Sequence, residues 1–294
     1  MKVSARQRHA WGCLGLVFLG ACTRSSDEGA VRVGVDHALL ESGLLQYLET
    51  AYSADASAAT VPEKIELVVA ETPALENLAL GGGVDVAIVV SEASRAKLEE
   101  AGVSLRQVTF AHEEFVVIGP PLDKDPLGQY ARGNAVEFMR SIARSRYRYL
   151  KAKVGSVELD RHRWLFAKTN DPREPGSFFA SDKEGEAFVE DVNASLALGL
   201  VRRSSLLLAA EQGQRPHAVY REGDPDLVLR ITAVELHPGR TRRARRPGFF
   251  EFLVGEKARG LIDGFGRARF GYPLFGVGEP AEGQGARVPH FDAR

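Results

Sequence analysis

Few residues in this 294-residue chain have the type and spacing to do chemistry, and the clearest is a cysteine. Cys22 follows Leu19-Gly20-Ala21 at the end of an apolar run from Trp11 to Ala21, where a thiol behind small residues can be cut free and acylated. The only other cysteine is Cys13, inside that run, so no disulfide is expected after Cys22. The seven histidines are scattered and show no paired ligand spacing, so no metal centre is expected. No Ser-His-Asp spacing, nucleotide loop or paired catalytic carboxylate stands out, and neither an enzyme nor a cofactor is expected. Arg240, Arg242, Arg243, Arg245 and Arg246 crowd between Pro238 and Pro247. Two readings stand for that run: contact with anionic lipid headgroups, at about 1 kcal/mol per basic residue, or a solvated loop. His112-Glu113-Glu114 reads as the polar start of a strand.

The N-terminus explains what the thiol is for. Lys2, Arg6, Arg8 and His9 form a basic stretch without acids, and the apolar run behind them is well short of the ~20 residues that cross a bilayer. Residues 1–21 therefore read as an export signal, and Leu19 to Cys22 resembles the lipobox of bacterial lipoproteins. The alternative is a plain signal peptide with an incidental cysteine. An acylated Cys22 would hold the chain at the membrane, since each buried methylene contributes ~0.8 kcal/mol. Residues 22–30 read as a polar tether, and the expected location is the cell envelope, extracytoplasmic and lipid-anchored. With 38 basic and 39 acidic residues the net charge is −1, which excludes a generally basic nucleic-acid binder.

The body must then position whatever site exists. Val31 to Val35 alternates as a strand, and Leu40, Leu44, Leu45, Leu48 and Tyr52 fall on one helical face. Lys64 to Ala70 reads as a strand, Thr72-Pro73 as a helix N-cap and first position, and Gly81-Gly82-Gly83 as its stop. Val84 to Val90 is nearly all apolar, as in a strand buried on both faces, and Ser91 to Ala101 is helical. This β-α order predicts an open α/β sheet with right-handed crossovers. Further strands are expected at Glu114–Gly119, Trp164–Ala167, Ala218–Tyr220 and Leu227–Leu236. Helices are expected from Ala135 to Leu150, Glu184 to Leu198, Phe249 to Val254 and Ala258 to Phe265. The strands near 114–119 and 227–236 would join two lobes, residues 31–118 with 229–278 and residues 119–228, with a disordered tail at 279–294. A ligand would sit in the crevice at the carboxyl ends of the strands.

Several stretches resemble the tungstate-binding receptors of bacterial ABC importers, which have a type II periplasmic-binding-protein fold. They are Glu41 to Leu45, Leu80 to Val90, Phe115 to Pro120 (FVVIGP), Arg221 to Pro225 (REGDP) and Phe249 to Phe275. The resemblance spans residues 31 to 276 and implies a two-lobed α/β receptor, a small anionic ligand such as tungstate or molybdate, an ABC permease as partner, and a monomer. The ligand loops depart from the pattern. Where the family places a Thr/Ser run after the first strand, this chain has Val35-Asp36-His37-Ala38. The counterpart of the family's "SRGDDSGTH" is Lys168-Thr169-Asn170-Asp171 with Gly176-Ser177, and that of "TDRGTY" is Val201 to Leu206.

A tetrahedral dianion needs N–H and O–H donors and an arginine fork. On the resemblance the candidates are Ser91, Lys168, Thr169, Ser177, Arg203 and Ser205, with Ser91 also readable as a helix N-cap and Arg203 as a surface arginine. Asp36 is awkward, because an ionised carboxylate only accepts hydrogen bonds. Asp36 and His37 could instead orient a cationic or sugar-like ligand, or bind metal. The alternative to a working importer is a receptor-like fold that has lost transport and serves as a sensor or envelope interaction module.

Overall fold

The computed structural model describes residues 30–55, 64–120, 133–145, 147–171, 177–214, 218–237 and 248–280. The segment expected to be an export signal, Cys22, the arginine run at 240–246 and nearly all of the tail expected at 279–294 lie outside the described residues.

The first half of the fold is laid down before residue 120. β1 (Val31–Asp36) leads through a 3-10 turn, His37–Leu39, into α1 (Leu44–Asp55). β2 (Ile65–Ala70), α2 (Thr72–Leu80), β3 (Val86–Val89) and α3 (Glu92–Glu100) follow. β1 pairs in parallel with both β2 and β3, as the apolar character of β3 requires of a strand covered on both faces. Gly34 lets α2 lie close on this sheet, since a Cβ there would stand 2.6 Å from Leu75 Cδ1. Thr72 is the first residue of α2 rather than its cap; the cap is Glu71, which makes no side-chain cap bond. The Thr72 hydroxyl is thereby free for another partner.

β4 (Ser104–Gly119) is far longer than the segment expected at 114–119, and it changes partners along its length. Its residues Ser104 to Glu114 pair antiparallel with β9 (Val228–Leu236), and Phe115 to Ile118 pair with β7 (Leu198–Arg202). β9 also pairs antiparallel with β3. The long buried stretches of both strands explain this: Phe110 to Gly119 is buried throughout, as is every position of β9 except Arg230.

The second half contains α4 (Ala135–Arg144), β5 (Tyr149–Lys151), α5 (Val157–Lys168), β6 (Phe178–Ala180) and α6 (Gly185–Ala194), then β7, α7 (Arg203–Glu211) and β8 (Ala218–Arg221). β5 pairs in parallel with β6 and β7, and β8 pairs with the end of β4. α8 (Gly248–Val254), α9 (Glu256–Gly264), the short α10 (Arg267–Phe270) and β10 (Gly276–Val277) close the chain back on the first half, where β10 pairs with β4. The strand order is β2-β1-β3-β9-β4-β7-β5-β6.

Three local expectations are corrected. The helix expected through Leu150 ends at Arg144, where Ser145 turns its Oγ back onto the Ile142 carbonyl, and Tyr149–Lys151 is a strand. Trp164–Ala167 is not a strand but the end of α5, whose start is fixed by Ser156 Oγ accepting from Leu159 N at 3.2 Å. The helix expected to run to Leu198 stops at Ala194, and Leu198 opens β7.

Candidate functional site

The carboxyl ends of β1 and β2 face the starts of α5 and α6 across a small, shallow, open cleft. Asp36, His37, Glu71 and Thr72 line it from the first half, and Lys153, Ser156 and Glu184 from the second. Asp36 is 3 % exposed and fully engaged. Its Oδ1 accepts from Ala38 N at 3.1 Å and its Oδ2 from Thr72 Oγ1 at 2.7 Å. Burial pushes its carboxyl above the usual carboxylate range, although the Thr72 hydroxyl, the Ala38 N–H and Arg202 all favour the charged form.

The cleft residue Ala38 is held by Arg202, the last residue of β7 and the N-cap of α7. Arg202 is 2 % exposed, and all three guanidinium nitrogens donate. Nε reaches Glu158 Oε1 at 2.9 Å, Nη2 reaches Glu41 Oε2 at 2.7 Å, and Nη1 reaches the Ala38 carbonyl. Ala38 and Glu41 belong to the first half and Glu158 to α5, so one side chain ties the two halves together. Burial works against the Arg202 charge, but Glu158, Glu113 and Glu41 outweigh it and hold the guanidinium above its usual range.

Arg203 is equally occupied. Its Nη2 donates to Glu114 Oε2 at 2.6 Å and to Glu222 Oε2 at 2.7 Å. Burial raises the Glu114 carboxyl even so, against the pull of Arg203. The neighbouring Glu113 is 1 % exposed; its Oε1 accepts from Ser204 N at 2.8 Å, and its Oε2 has no partner. Burial again pushes this carboxyl up. Lys153 makes a second, shallower bridge, with Nζ 2.9 Å from Glu184 and 3.7 Å from Glu71. Among the described residues no group of three or more His, Cys, Asp or Glu side chains is placed to hold a metal ion.

The expected ligand residues thus divide by place. Asp36 and His37 line the cleft, while Arg203 and Ser205 lie at the start of α7, Ser205 Oγ 3.4 Å from Glu41 Oε2. Arg203 is buried rather than on the surface. Ser91 caps α3, its Oγ accepting from Ser94 N at 3.3 Å. Lys168 and Thr169 end α5, whose other end is at the cleft; its 12 residues put them roughly 18 Å away. There Lys168 pairs with Asp226 at 3.0 Å and stacks on Trp164. Ser177 stands at the amino end of β6, its carbonyl accepting from Tyr149 N and its buried Oγ without a partner. Arg202, Glu41, Glu158 and Lys153 were not foreseen. The doubled arginine was the available signal, but its partners lie in four distant segments.

Two α/β halves joined by two long antiparallel strands, with a cleft at the strand ends, define the type II periplasmic-binding-protein fold. The particular likeness is to tungstate-binding proteins. The chain is 23% identical over 278 residues to the tungstate-binding protein TupA of Peptoclostridium acidaminophilum, covering 89% of this chain and 93% of that one. The structure of the tungstate-binding protein TupA from Desulfovibrio alaskensis G20 superposes with a TM-score of 0.72 at 16% identity, over 84% of this chain and 98% of that one. That of the tungstate ABC transporter from Geobacter sulfurreducens gives 0.64 at 16% identity, over 80% and 98%. No family model matches the chain. No helix among the described residues is long and apolar enough to cross a membrane.

Proposed function

We propose that this protein is the extracytoplasmic solute-binding component of an ABC importer, held to the membrane by lipid on Cys22, with a small oxyanion of the tungstate or molybdate kind as ligand. The observation that supports it is the likeness to tungstate-binding proteins, in sequence and in fold, along nearly the whole described chain. In this reading residues 31–118 with 229–278 form one lobe and 119–228 the other. β4 and β9 are the hinge strands. The protein binds and hands over its ligand and catalyses nothing. It works as a monomer with a permease as partner. Of the residues expected to hold the ligand, Asp36 and His37 line the cleft, and Arg203 and Ser205 lie buried at the start of α7.

One observation favours a second reading, a receptor-like sensor or envelope module. Arg202 and Arg203 are each already matched by two carboxylates, so neither offers a free fork to an anion. Calorimetric titration of the detergent-purified protein with tungstate, molybdate, sulfate and phosphate separates the two. Tungstate or molybdate binding that Arg203→Ala weakens is the expected result. Binding of none of the four overturns the importer reading in favour of the second. In the same preparation, Cys22→Ala should move the protein from the detergent phase to the aqueous phase; continued partition into detergent would remove the anchor.

A further inference from the structure

The loop before α1 sends one side chain across the cleft. Glu41 Oε2 accepts from Arg202 Nη2 at 2.7 Å and lies 3.4 Å from Ser205 Oγ. The same carboxylate packs on Gly185, the first residue of α6, so closely that a Cβ there would stand 2.1 Å from both of its oxygens. Gly185 also has φ +59, so any other residue would be strained there as well as displace the carboxylate. α6 has no side-chain cap bond from its N-cap, Glu184, and its first residue touches the Glu41 carboxylate, whereas the Ser204 N–H in the first turn of α7 is already taken by Glu113. A buried guanidinium, a hydroxyl and the start of α6 therefore meet at a single carboxylate, which is the donor set of an anion site.

We infer that this corner of the second half is a binding site for a small carboxylate, and that its resident ligand is the protein's own Glu41. The inference rests on the reading of the cleft as a ligand site, and it names what occupies that site when no solute does. Glu41 enters from the opposite half, so the carboxylate fills the site only while the halves are together. Arg202 keeps Glu158 and the Ala38 carbonyl when Glu41 is removed, and its Nη2 is the donor set free. Glu186 opposes an incoming anion: burial and then Glu41 itself raise its carboxyl, and Gln212 and Arg269 act the other way. The site therefore favours a monoanion that fits the volume of a lost glutamate side chain, such as formate or acetate.

The test is chemical rescue in the full-length protein. Glu41→Ala should bind formate or acetate at least about tenfold more tightly than the unchanged protein, by calorimetry and by a rise in melting temperature that chloride at equal concentration does not give. Equal affinity in the two proteins, or equal stabilisation by chloride, overturns the inference. Should Glu41→Ala fail to fold, Glu41→Asp draws the carboxylate back by one methylene. Formate affinity above the unchanged protein then supports the assignment, and equal affinity overturns it. Tungstate is titrated separately. Tungstate binding that Glu41→Ala leaves unchanged, without formate rescue, keeps the importer and overturns this site. Formate rescue without binding of any oxyanion keeps this site and overturns the importer.

Discussion

Two bridges cross the cleft, built to the same plan in different surroundings. In each, a cation of the second half is fixed by a carboxylate of its own half and completed by one from the other. Arg202 is held by Glu158 and reaches Glu41; Lys153 is held by Glu184 and reaches Glu71. The arginine bridge is closed off from water, with Arg202 and Glu158 each 2% exposed and Glu41 27%. The lysine bridge is open, with side chains 40%, 24% and 70% exposed. Water screens the second and not the first, so the same charges differ in consequence. In this structure the two halves are bridged by the protein's own charges.

The strongest way to break the comparison is Arg202→Met. It leaves Glu158 buried without its counter-charge and strips the donor from Glu41 and from the Ala38 carbonyl. Removing one partner of a buried pair costs about 3–5 kcal/mol, because the remaining charge is stranded. Urea unfolding should show a loss of that size. A loss below about 1 kcal/mol would mean that water reaches Glu158 and that the two bridges are alike.

How much of this could be read from the sequence follows from how local each feature is. The β-α order of the first half was legible, because each strand and helix there carries its own period and its own stop. The crossover at Phe115 to Gly119 was legible as an apolar run with a family likeness. Trp164 to Ala167 misled, since four residues of an amphipathic helix show too little period to be told from a strand. The site was legible only in part. Asp36 could be flagged as a carboxylate standing where donors were expected, but its satisfaction by Thr72 needs α2 folded over β1. Arg203 was flagged and Arg202 was not, and nothing in the local sequence separates them. Their partners Glu41, Glu114, Glu158 and Glu222 come from four segments, and only the strand order brings those together.

A smaller effect sharpens the comparison through pH. Glu113 lies beside the arginine bridge, and burial raises its pKa above the ordinary value of 4.5. A carboxyl raised in the folded state keeps its proton longer there than in the unfolded chain. Its contribution is fully present below about pH 4.5 and is lost as pH climbs through the higher folded value. Asp36 and Glu114 act in the same direction. Glu113→Gln should therefore flatten part of the fall in stability above pH 4.5, while changing the neutral-pH value by no more than about 1–2 kcal/mol. An unchanged slope in denaturant melts across pH would show that Glu113 is charged throughout that range, and that Arg202 sustains one more carboxylate than its direct partners.

The smallest effect is expected from the open bridge. Lys153→Met removes the cation between Glu71 and Glu184, yet all three side chains stay in contact with water. Their charges remain solvated when the lysine is gone, so no stranded ion is created and the unfolding midpoint should not move measurably. What the lysine does contribute is a tie between the halves that salt can weaken. Glu184 and Glu71 approach one another only through Lys153. Without it they repel, and the halves should part more often. Hydrogen exchange at the cleft amides, notably those of the His37–Leu39 turn, should then quicken in low salt and converge on the unchanged protein at high salt, where repulsion is screened beyond ~3 Å. Slower exchange, or a midpoint that falls as far as that of Arg202→Met, would show that the exposed bridge carries the closure and that burial is not what separates the two.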